Sequence, residues 1–131
     1  MHLIIDGYGS DPAIMQNEAF LHEMLDTFPS SIGMTKISET CTFRYTGGEP
    51  EDWGISGFVV IAESHISFHT FVERCYINMD IFSCRDFDAL KATRYVVEKL
   101  KLIRIKCHLL NRDRDISEFE STDTISQLQL V

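Results

Sequence analysis

The sequence predicts an α+β fold: a two-layer α/β sandwich in which helices cover one face of a mostly antiparallel sheet. Six short segments are rich in β-branched and aromatic residues and are bounded by turn-forming residues. Two longer segments carry apolar residues at helical spacing. Strands that follow one another in runs, beside amphipathic helices, are typical of an antiparallel sheet with a helical layer. The chain of 131 residues is predicted to form a single domain.

The predicted elements follow the chain in order. A first strand over residues 2–9 ends at glycines, and a helix over residues 11–28 begins with Asp11 as its N-cap and Pro12 at its first position. The next elements are a strand at 34–46, an acidic loop at 47–54, strands at 55–63, 65–71 and 76–84, a helix at 86–100 and a strand at 102–110. Residues 112–131 lose the pattern and are predicted to form a polar, loosely packed tail.

Charge and cysteine content exclude several classes of partner. A formal net charge of −8 argues against nucleic acid or an anionic membrane as the main partner, and the apolar runs are too short to span a bilayer. The start of the sequence has no signal-peptide pattern, so we expect a cytoplasmic protein. The four cysteines form no Cys-x-x-Cys pair, which favours free thiols over a metal site.

The most unusual segment is IAESHISFHTFVERC, residues 61–75, in which an apolar strand stops at Glu63 and Ser64. Polar groups are costly to bury unless they have partners. Along the next two strands, alternation places His69 on one face of its strand and Cys84 on one face of its own. If these strands pair as a hairpin, the two faces coincide, and a titratable base would lie near a thiol. The ordinary interpretations are a hydrogen-bonded structural histidine and a buried thiol.

Glu63-Ser64 offers the residue types that an intramolecular reaction requires. A serine hydroxyl can attack the carbonyl that precedes it, which converts the peptide bond into an ester. β-Elimination and hydrolysis then leave a pyruvoyl group on the new N-terminus. The reaction needs a nucleophile, a base and a hydroxyl donor, and the sequence offers Ser64, His69 and Ser56 for these roles.

The segment GISGFVVIAESHISFHTFVERCYINMDIFSC, residues 54–84, closely resembles the core of the prokaryotic S-adenosylmethionine decarboxylase proenzymes, which are pyruvoyl enzymes. That family has Ser-Gly before an apolar strand, then Glu-Ser-His, His-Thr, a Glu and Asp-(Ile/Leu)-Phe-(Ser/Thr)-Cys. All of these motifs occur here in the same order and at matching spacing. The resemblance covers about residues 54–108 and, more loosely, the N-terminal half.

The resemblance implies a processed enzyme. The chain would be cut between Glu63 and Ser64 into residues 1–63, the β chain, and residues 64–131, the α chain, which begins with the pyruvoyl cofactor. Family members of this kind are homodimers of cleaved protomers with a two-layer α/β fold, and they decarboxylate S-adenosylmethionine for polyamine (spermidine) synthesis.

The resemblance also assigns roles to single residues. His69 and Ser56 would assist self-processing, and Cys84 would be the catalytic proton donor. Glu73 falls at the position where the family binds the ribose hydroxyls of the substrate.

The region before the Ser-Gly strand departs from the family. In CTFRYTGGEPEDWGISG, a family histidine is missing and carboxylates are inserted. Tyr45 or Trp53 would then supply the aromatic face on which the family stacks adenine. Alternatively, Glu49, Glu51 and Asp52 hold the distal amine or guanidinium of L-ornithine or L-arginine, which some family members decarboxylate. Solvated loop carboxylates are the third interpretation.

Two functions of other classes stay open on the residues alone. A cysteine hydrolase would use Cys84 and His69 on an intact chain. A non-catalytic paralogue would bind a partner subunit and remain uncut.

Overall fold

The computed structural model describes residues 1–9 and 11–111, so the predicted tail at 112–131 lies outside the described residues. The strands are β1 (His2–Tyr8), β2 (Cys41–Tyr45), β3 (Gly54–Ile61), β4 (Ser64–Phe71), β5 (Tyr76–Ser83) and β6 (Arg104–Leu110). The helices are α1 (Pro12–Met15), α2 (Glu18–Ser31) and α3 (Ala89–Leu100). Single 3-10 turns cover Pro50–Asp52 and Val72–Arg74.

The six strands form one antiparallel sheet in the order β2-β3-β4-β5-β1-β6. Helix α2 packs on β2 and β3, and α3 packs on β1. Ile5, Phe68 and Met79 are fully buried on the face that meets the helices, whereas Phe43 and Phe58 are exposed on the other face. The α+β prediction with a mostly antiparallel sheet is therefore confirmed.

The helix predicted over residues 11–28 is two helices. Asp11 is the N-cap of α1, as predicted, since its carboxylate accepts a hydrogen bond from a backbone N–H at 2.8 Å. Asn17 is a second cap, because its side-chain oxygen accepts from the backbone N–H of Phe20 at 3.0 Å. Asparagine competes with helical backbone by bonding nearby N–H groups. The first helix therefore ends before Asn17, and α2 starts after it.

Only Cys41–Tyr45 of the strand predicted over 34–46 is regular strand. The residues before it run beside the end of β3 in an irregular pairing, in which the backbone N–H of Ile37 donates to the Val60 carbonyl at 3.0 Å. The polar run Lys36 to Thr40 makes side-chain bonds instead of a ladder, so the regular strand begins later than the composition suggests.

Asp26 on α2 holds this irregular segment. Its carboxylate accepts a hydrogen bond from Lys36 Nζ and another, of 2.6 Å, from Thr40 Oγ1. These bonds hold the pKa of Asp26 below its ordinary value. The stabilisation is therefore present above the pKa of an unfolded aspartate and is lost as the pH falls through the lowered value. Because the ion pair is partly exposed, its contribution is small.

Thr70 joins α1, β3 and β4 through one buried hydroxyl. The side chain is 3% exposed. Its Oγ1 accepts from the backbone N–H of Ile55 at 2.8 Å and donates to the carbonyl of Met15 at 2.9 Å. The hydroxyl thus satisfies two backbone groups that no water reaches, next to His69 on the same strand.

We expect Thr70→Val to destabilise the fold by about 2–6 kcal/mol, because two buried backbone groups lose their partner at about 1–3 kcal/mol each. Thr70→Ser is the matched control, since it keeps the hydroxyl and loses one methyl group, worth about 1 kcal/mol. Thermal unfolding followed by circular dichroism compares the two variants. Equal stability of Thr70→Val and the parent would mean that the hydroxyl has no bridging role.

Candidate active site

The β3–β4 hairpin turns through two residues, Ala62 and Glu63, between the paired positions Ile61 and Ser64. Glu63 has a φ of +65°, in the left-handed region that non-glycine residues rarely adopt. Strain of this kind costs about 1–3 kcal/mol and persists only where the surrounding structure imposes it. The carbonyl of Glu63 is the one that the predicted reaction at Ser64 attacks, so the strain lies at the bond of interest.

Ser64 is held at the end of the sheet by its neighbour on β5. It pairs with Ser83, and its Oγ accepts a hydrogen bond from the backbone N–H of Cys84 at 3.0 Å. Ser64 is 8% exposed, whereas Cys84, directly after the strand, is exposed. The candidate nucleophile and the candidate proton donor therefore lie together at one end of the sheet.

Ser56 and His69 lie together at the other end of β4. They are cross-strand partners on β3 and β4, and Ser56 Oγ is 2.7 Å from His69 Nδ1 in a hydrogen bond. A hydroxyl bonded to an imidazole is a pair suited to proton transfer. Both side chains line a cavity of about 350 Å³ whose other walls are Tyr45, Asp52, Gly54, Thr70 and Phe71.

Gly54 fits the wall of this cavity because β3 and β4 approach closely there. A Cβ at this position would lie 1.8 Å from the carbonyl oxygen of Thr70. Any side chain would therefore push the strands apart and displace the Ser56–His69 pair.

Within one chain, the Ser56–His69 pair is far from Ser64 and Cys84. Ser64 and His69 are five residues apart on β4, about 17 Å at the rise of a strand, and the odd spacing puts their side chains on opposite faces. His69 pairs with Asn78, six residues before Cys84. The expected hairpin exists and the two faces coincide, but the expected closeness of His69 and Cys84 does not occur within one chain.

Trp53 and Glu73 meet at the rim of the sheet, outside the cavity lining. The indole N–H of Trp53 donates to Glu73 Oε1 at 2.9 Å. The Trp53 ring packs on the hydrophobic core, and the guanidinium of Arg44 lies 4.8 Å from the ring centroid. The ring is thus occupied by contacts within the chain, and Tyr45 is the sequence-predicted aromatic residue that the structure places in the cavity wall.

The acidic loop is tied to the turn after β4. Asp52, which lines the cavity, forms an ion pair with Arg74 in which Nη2 and Oδ1 are 2.8 Å apart. Its charge is therefore balanced by a cation of the chain itself. Glu49 and Glu51 are exposed.

Sequence reasoning missed three residues of this region: Thr70, Phe71 and Arg74. Thr70 is part of the His-Thr motif, which was a signal for it. Phe71 ends β4 two residues after His69, so strand alternation places it on the same face. Arg74 carried no signal, because its pairing with Asp52 depends on how the loop folds back.

Neither a metal site nor a membrane span is evident in the part of the chain that the structure describes. There, no three His, Cys, Asp or Glu side chains come together in a way that could hold a metal ion. No helix among residues 1–9 and 11–111 is long and apolar enough to cross a membrane.

Residues 1–113 match the model of a protein family described as S-adenosylmethionine decarboxylase. The chain belongs to this family. An S-adenosylmethionine decarboxylase proenzyme of Pyrococcus furiosus is 30% identical over 124 residues, which are 94% of this chain and 84% of that protein. One of Clostridium botulinum is 36% identical over 108 residues, 80% of this chain and 88% of that protein.

A solved structure shares the fold. The crystal structure of the adenosylmethionine decarboxylase from Aquifex aeolicus VF5 has a TM-score of 0.68 and 28% identity, and the match covers 82% of this chain and 84% of that chain. The resemblance to the S-adenosylmethionine decarboxylase family is confirmed. Because both curated relatives are named for S-adenosylmethionine, L-arginine and L-ornithine gain no support as substrates.

Proposed function

We propose that the protein is a self-processing S-adenosylmethionine decarboxylase of polyamine biosynthesis, cleaved between Glu63 and Ser64 into residues 1–63 and 64–131. The observation that carries this proposal is the left-handed backbone of Glu63 immediately before a serine whose hydroxyl is held in place. The word proenzyme in the names of the relatives points the same way.

The surroundings of Ser64 fit a pyruvoyl group formed from this residue. The backbone N–H of Cys84 already bonds the oxygen at this position. Because Ser64 is 8% exposed, a reactive carbonyl formed there is partly shielded from water. Self-processing also removes the left-handed turn at Glu63 and with it about 1–3 kcal/mol of strain.

The cleavage uses only atoms of the chain and water. Ser64 Oγ attacks the carbonyl carbon of Glu63, the C–N bond between the two residues breaks, and an ester joins Glu63 to Oγ. A base then takes the α-proton of Ser64, and the Glu63 carboxylate leaves by β-elimination. Hydrolysis at position 64 releases ammonia and leaves the pyruvoyl group.

Cys84 is assigned as the proton donor of decarboxylation. A pyruvoyl group supplies a carbonyl that takes up the substrate amine and an electron sink for the carboxylate that leaves. The carbon that loses carbon dioxide must then receive a proton. Cys84 carries a thiol, and its own backbone N–H donates the hydrogen bond to Ser64 Oγ. The thiol therefore belongs to a residue in direct contact with position 64.

The cavity supports S-adenosylmethionine as the substrate. Tyr45 and Phe71 give it aromatic walls suited to an adenine ring. Asp52 is paired with Arg74, so its carboxylate is not presented to the distal amine of a basic amino acid. Glu73 is assigned to the ribose hydroxyls, with Trp53 holding one oxygen of its carboxylate.

A homodimer would complete the site. Since Ser56 and His69 lie about 17 Å from Ser64 along β4, a second copy is proposed to bring its own pair to the Ser64 end. The outer face of the sheet, where Phe58 is exposed, is the proposed contact.

Tyr76 also lies on this outer face. Burial and a hydrogen bond to Asp6 raise the pKa of Tyr76 to about 12, so its phenol stays neutral and adds no charge to the proposed contact.

We place the protein in the cytoplasm. All four cysteines are free thiols in the structure, which suits a reducing compartment.

Self-processing predicts two fragments for the purified protein. Intact mass spectrometry should find residues 1–63 and a second fragment from residue 64 that reacts with hydrazines. Ser64→Ala should stay a single chain, because the nucleophile is gone, and Ser67→Ala is the matched control that still cleaves. A wild-type chain that remains uncut, lacks a reactive carbonyl and is alkylated at Cys84 would favour a cysteine hydrolase. An uncut chain with neither property would favour a non-catalytic paralogue.

Cys84→Ala is expected to cleave itself and to lose turnover by about 10²–10⁴-fold, the usual contribution of a general acid. The measurement is release of labelled carbon dioxide from S-adenosylmethionine, with L-arginine and L-ornithine assayed beside it. Cys75→Ala is the control. Unchanged turnover in Cys84→Ala would remove the thiol from the mechanism, and turnover of L-arginine or L-ornithine alone would overturn the substrate assignment.

A mixing experiment tests the shared site. Ser64→Ala keeps the Ser56–His69 pair but cannot be cut, and His69→Ala keeps the nucleophile but lacks the base. Each should remain whole when expressed alone. When both are expressed together with different tags and copurified, the His69→Ala chain should be cleaved. Cleavage of His69→Ala alone at the wild-type rate, or none in the mixed dimer, would contradict a site completed by a second copy.

A further inference from the structure

The unit formed by α3 and β6 is basic, in contrast to the chain as a whole. Residues 89–111 carry six cationic side chains and a single carboxylate, whereas the whole chain has a formal net charge of −8. The cations are Lys91, Arg94, Lys99, Lys101, Arg104 and Lys106. All six are exposed, but Arg104 and Lys106 lie opposite Tyr8 and Asp6, which places these two on the outer face of the sheet. Such a patch in an acidic protein is a surface for a negatively charged partner.

The helix-facing side of this unit is also apolar. Cross-strand partners share a face, so Ile105 and Leu109, which lie opposite Gly7 and Leu3, continue the helix-facing side of the sheet. Leu3 is 2% exposed, but Ile105 is 37% and Leu109 is 53% exposed, and Ile103 before the strand is 84% exposed. The helices described therefore stop short of covering the core-facing side of β6.

β6 is also the edge strand of the sheet in the described part of the chain. An exposed apolar edge is a site at which other chains can add, and proteins commonly cover it. The surface thus combines an open strand edge, an exposed apolar row (Ile105, Cys107 and Leu109) and a positive charge. A single acidic and partly apolar segment could cover all three.

Residues 112–131 match this surface in composition. They hold five carboxylates against two arginines, and they include the large apolar side chains Ile116 and Phe119. One residue separates them from the end of β6, and the seven residue steps from Leu109 to Ile116 span up to about 25 Å, enough to reach any part of the row of Ile105, Cys107 and Leu109. The match to the family model ends at residue 113.

We propose that residues 112–131 dock on the helix-facing side of the α3–β6 unit, with apolar side chains on Ile105, Cys107 and Leu109 and carboxylates facing the cations of α3. A second copy is proposed to occupy the opposite face of the sheet, and the net charge of the chain opposes nucleic acid. The inference is independent of the proposed activity.

Cys107 reports on this contact, because it lies in the middle of the row opposite Ile5 and is exposed in the described residues. The full-length protein is treated with iodoacetamide, and the alkylation rate of Cys107 is read by peptide mass spectrometry, with Cys41 as internal reference. In the double variant Ile116→Ser/Phe119→Ser, iodoacetamide should alkylate Cys107 roughly ten- to a hundred-fold faster than in the wild type. This factor corresponds to losing the burial of one apolar side chain. Ser121→Ala is the matched control and should leave the rate unchanged.

Charge reversal gives a second, independent measurement. Glu118→Lys/Glu120→Lys should speed the alkylation of Cys107, and added salt should do so in the wild type, since exposed ion pairs are screened. Equal rates in the wild type and in both variants would overturn the proposal. So would protection of Cys107 that depends on protein concentration, which would point to a second copy, or protection that needs an added oligonucleotide.

Discussion

The register of the β3–β4 hairpin fixes both the Glu63–Ser64 turn and the Ser56–His69 pair. A turn of only two residues sets Ile61 against Ser64 and, further along, Ser56 against His69. Side chains alternate with a period of two, so a slip of one residue would turn His69 into the core and Thr70 out of it. The hydrogen bond between Ser56 and His69, and the one between the Thr70 hydroxyl and the backbone of Ile55, cannot form in any other register. The polar bonds on both faces of β4 therefore reinforce the alignment that the tight turn imposes.

The tight turn is strained at Glu63, and the sheet beyond it supplies the stability that holds it. The hairpin is flanked by β2 and β5, and side chains such as Ile61, Ile66 and Phe68 are almost wholly buried. Burial of one such side chain is worth about 1.5–3 kcal/mol, which matches or exceeds the 1–3 kcal/mol or so of a left-handed non-glycine residue. A well-packed hairpin can thus keep one peptide bond in an unfavourable conformation next to a fixed hydroxyl.

Alternation and motif order predicted the sheet, the hairpin and the shared face of His69 and Cys84. They did not predict the distance between His69 and Cys84 along that face. The period of a strand determines which face a side chain is on, whereas the register of the two strands determines how far apart two side chains are. The break at Asn17 was missed since a side chain that caps a helix also occurs within one. Trp53 shows a third limit: sequence identifies an aromatic residue near a site, but whether its ring faces the ligand or the core depends on the path of the loop.

The division of the site between two ends of β4 has a consequence for when the chain can react. The strained carbonyl and the Ser64 hydroxyl are present in every folded chain, whereas the Ser56–His69 pair lies about 17 Å away along the strand. If that pair serves the Ser64 of a second copy, a lone chain holds a strained bond without the base to resolve it. Cleavage then follows assembly, and the pyruvoyl group forms only in a site that is already enclosed. The geometry of one hairpin would in this way couple folding, association and activation in a fixed order.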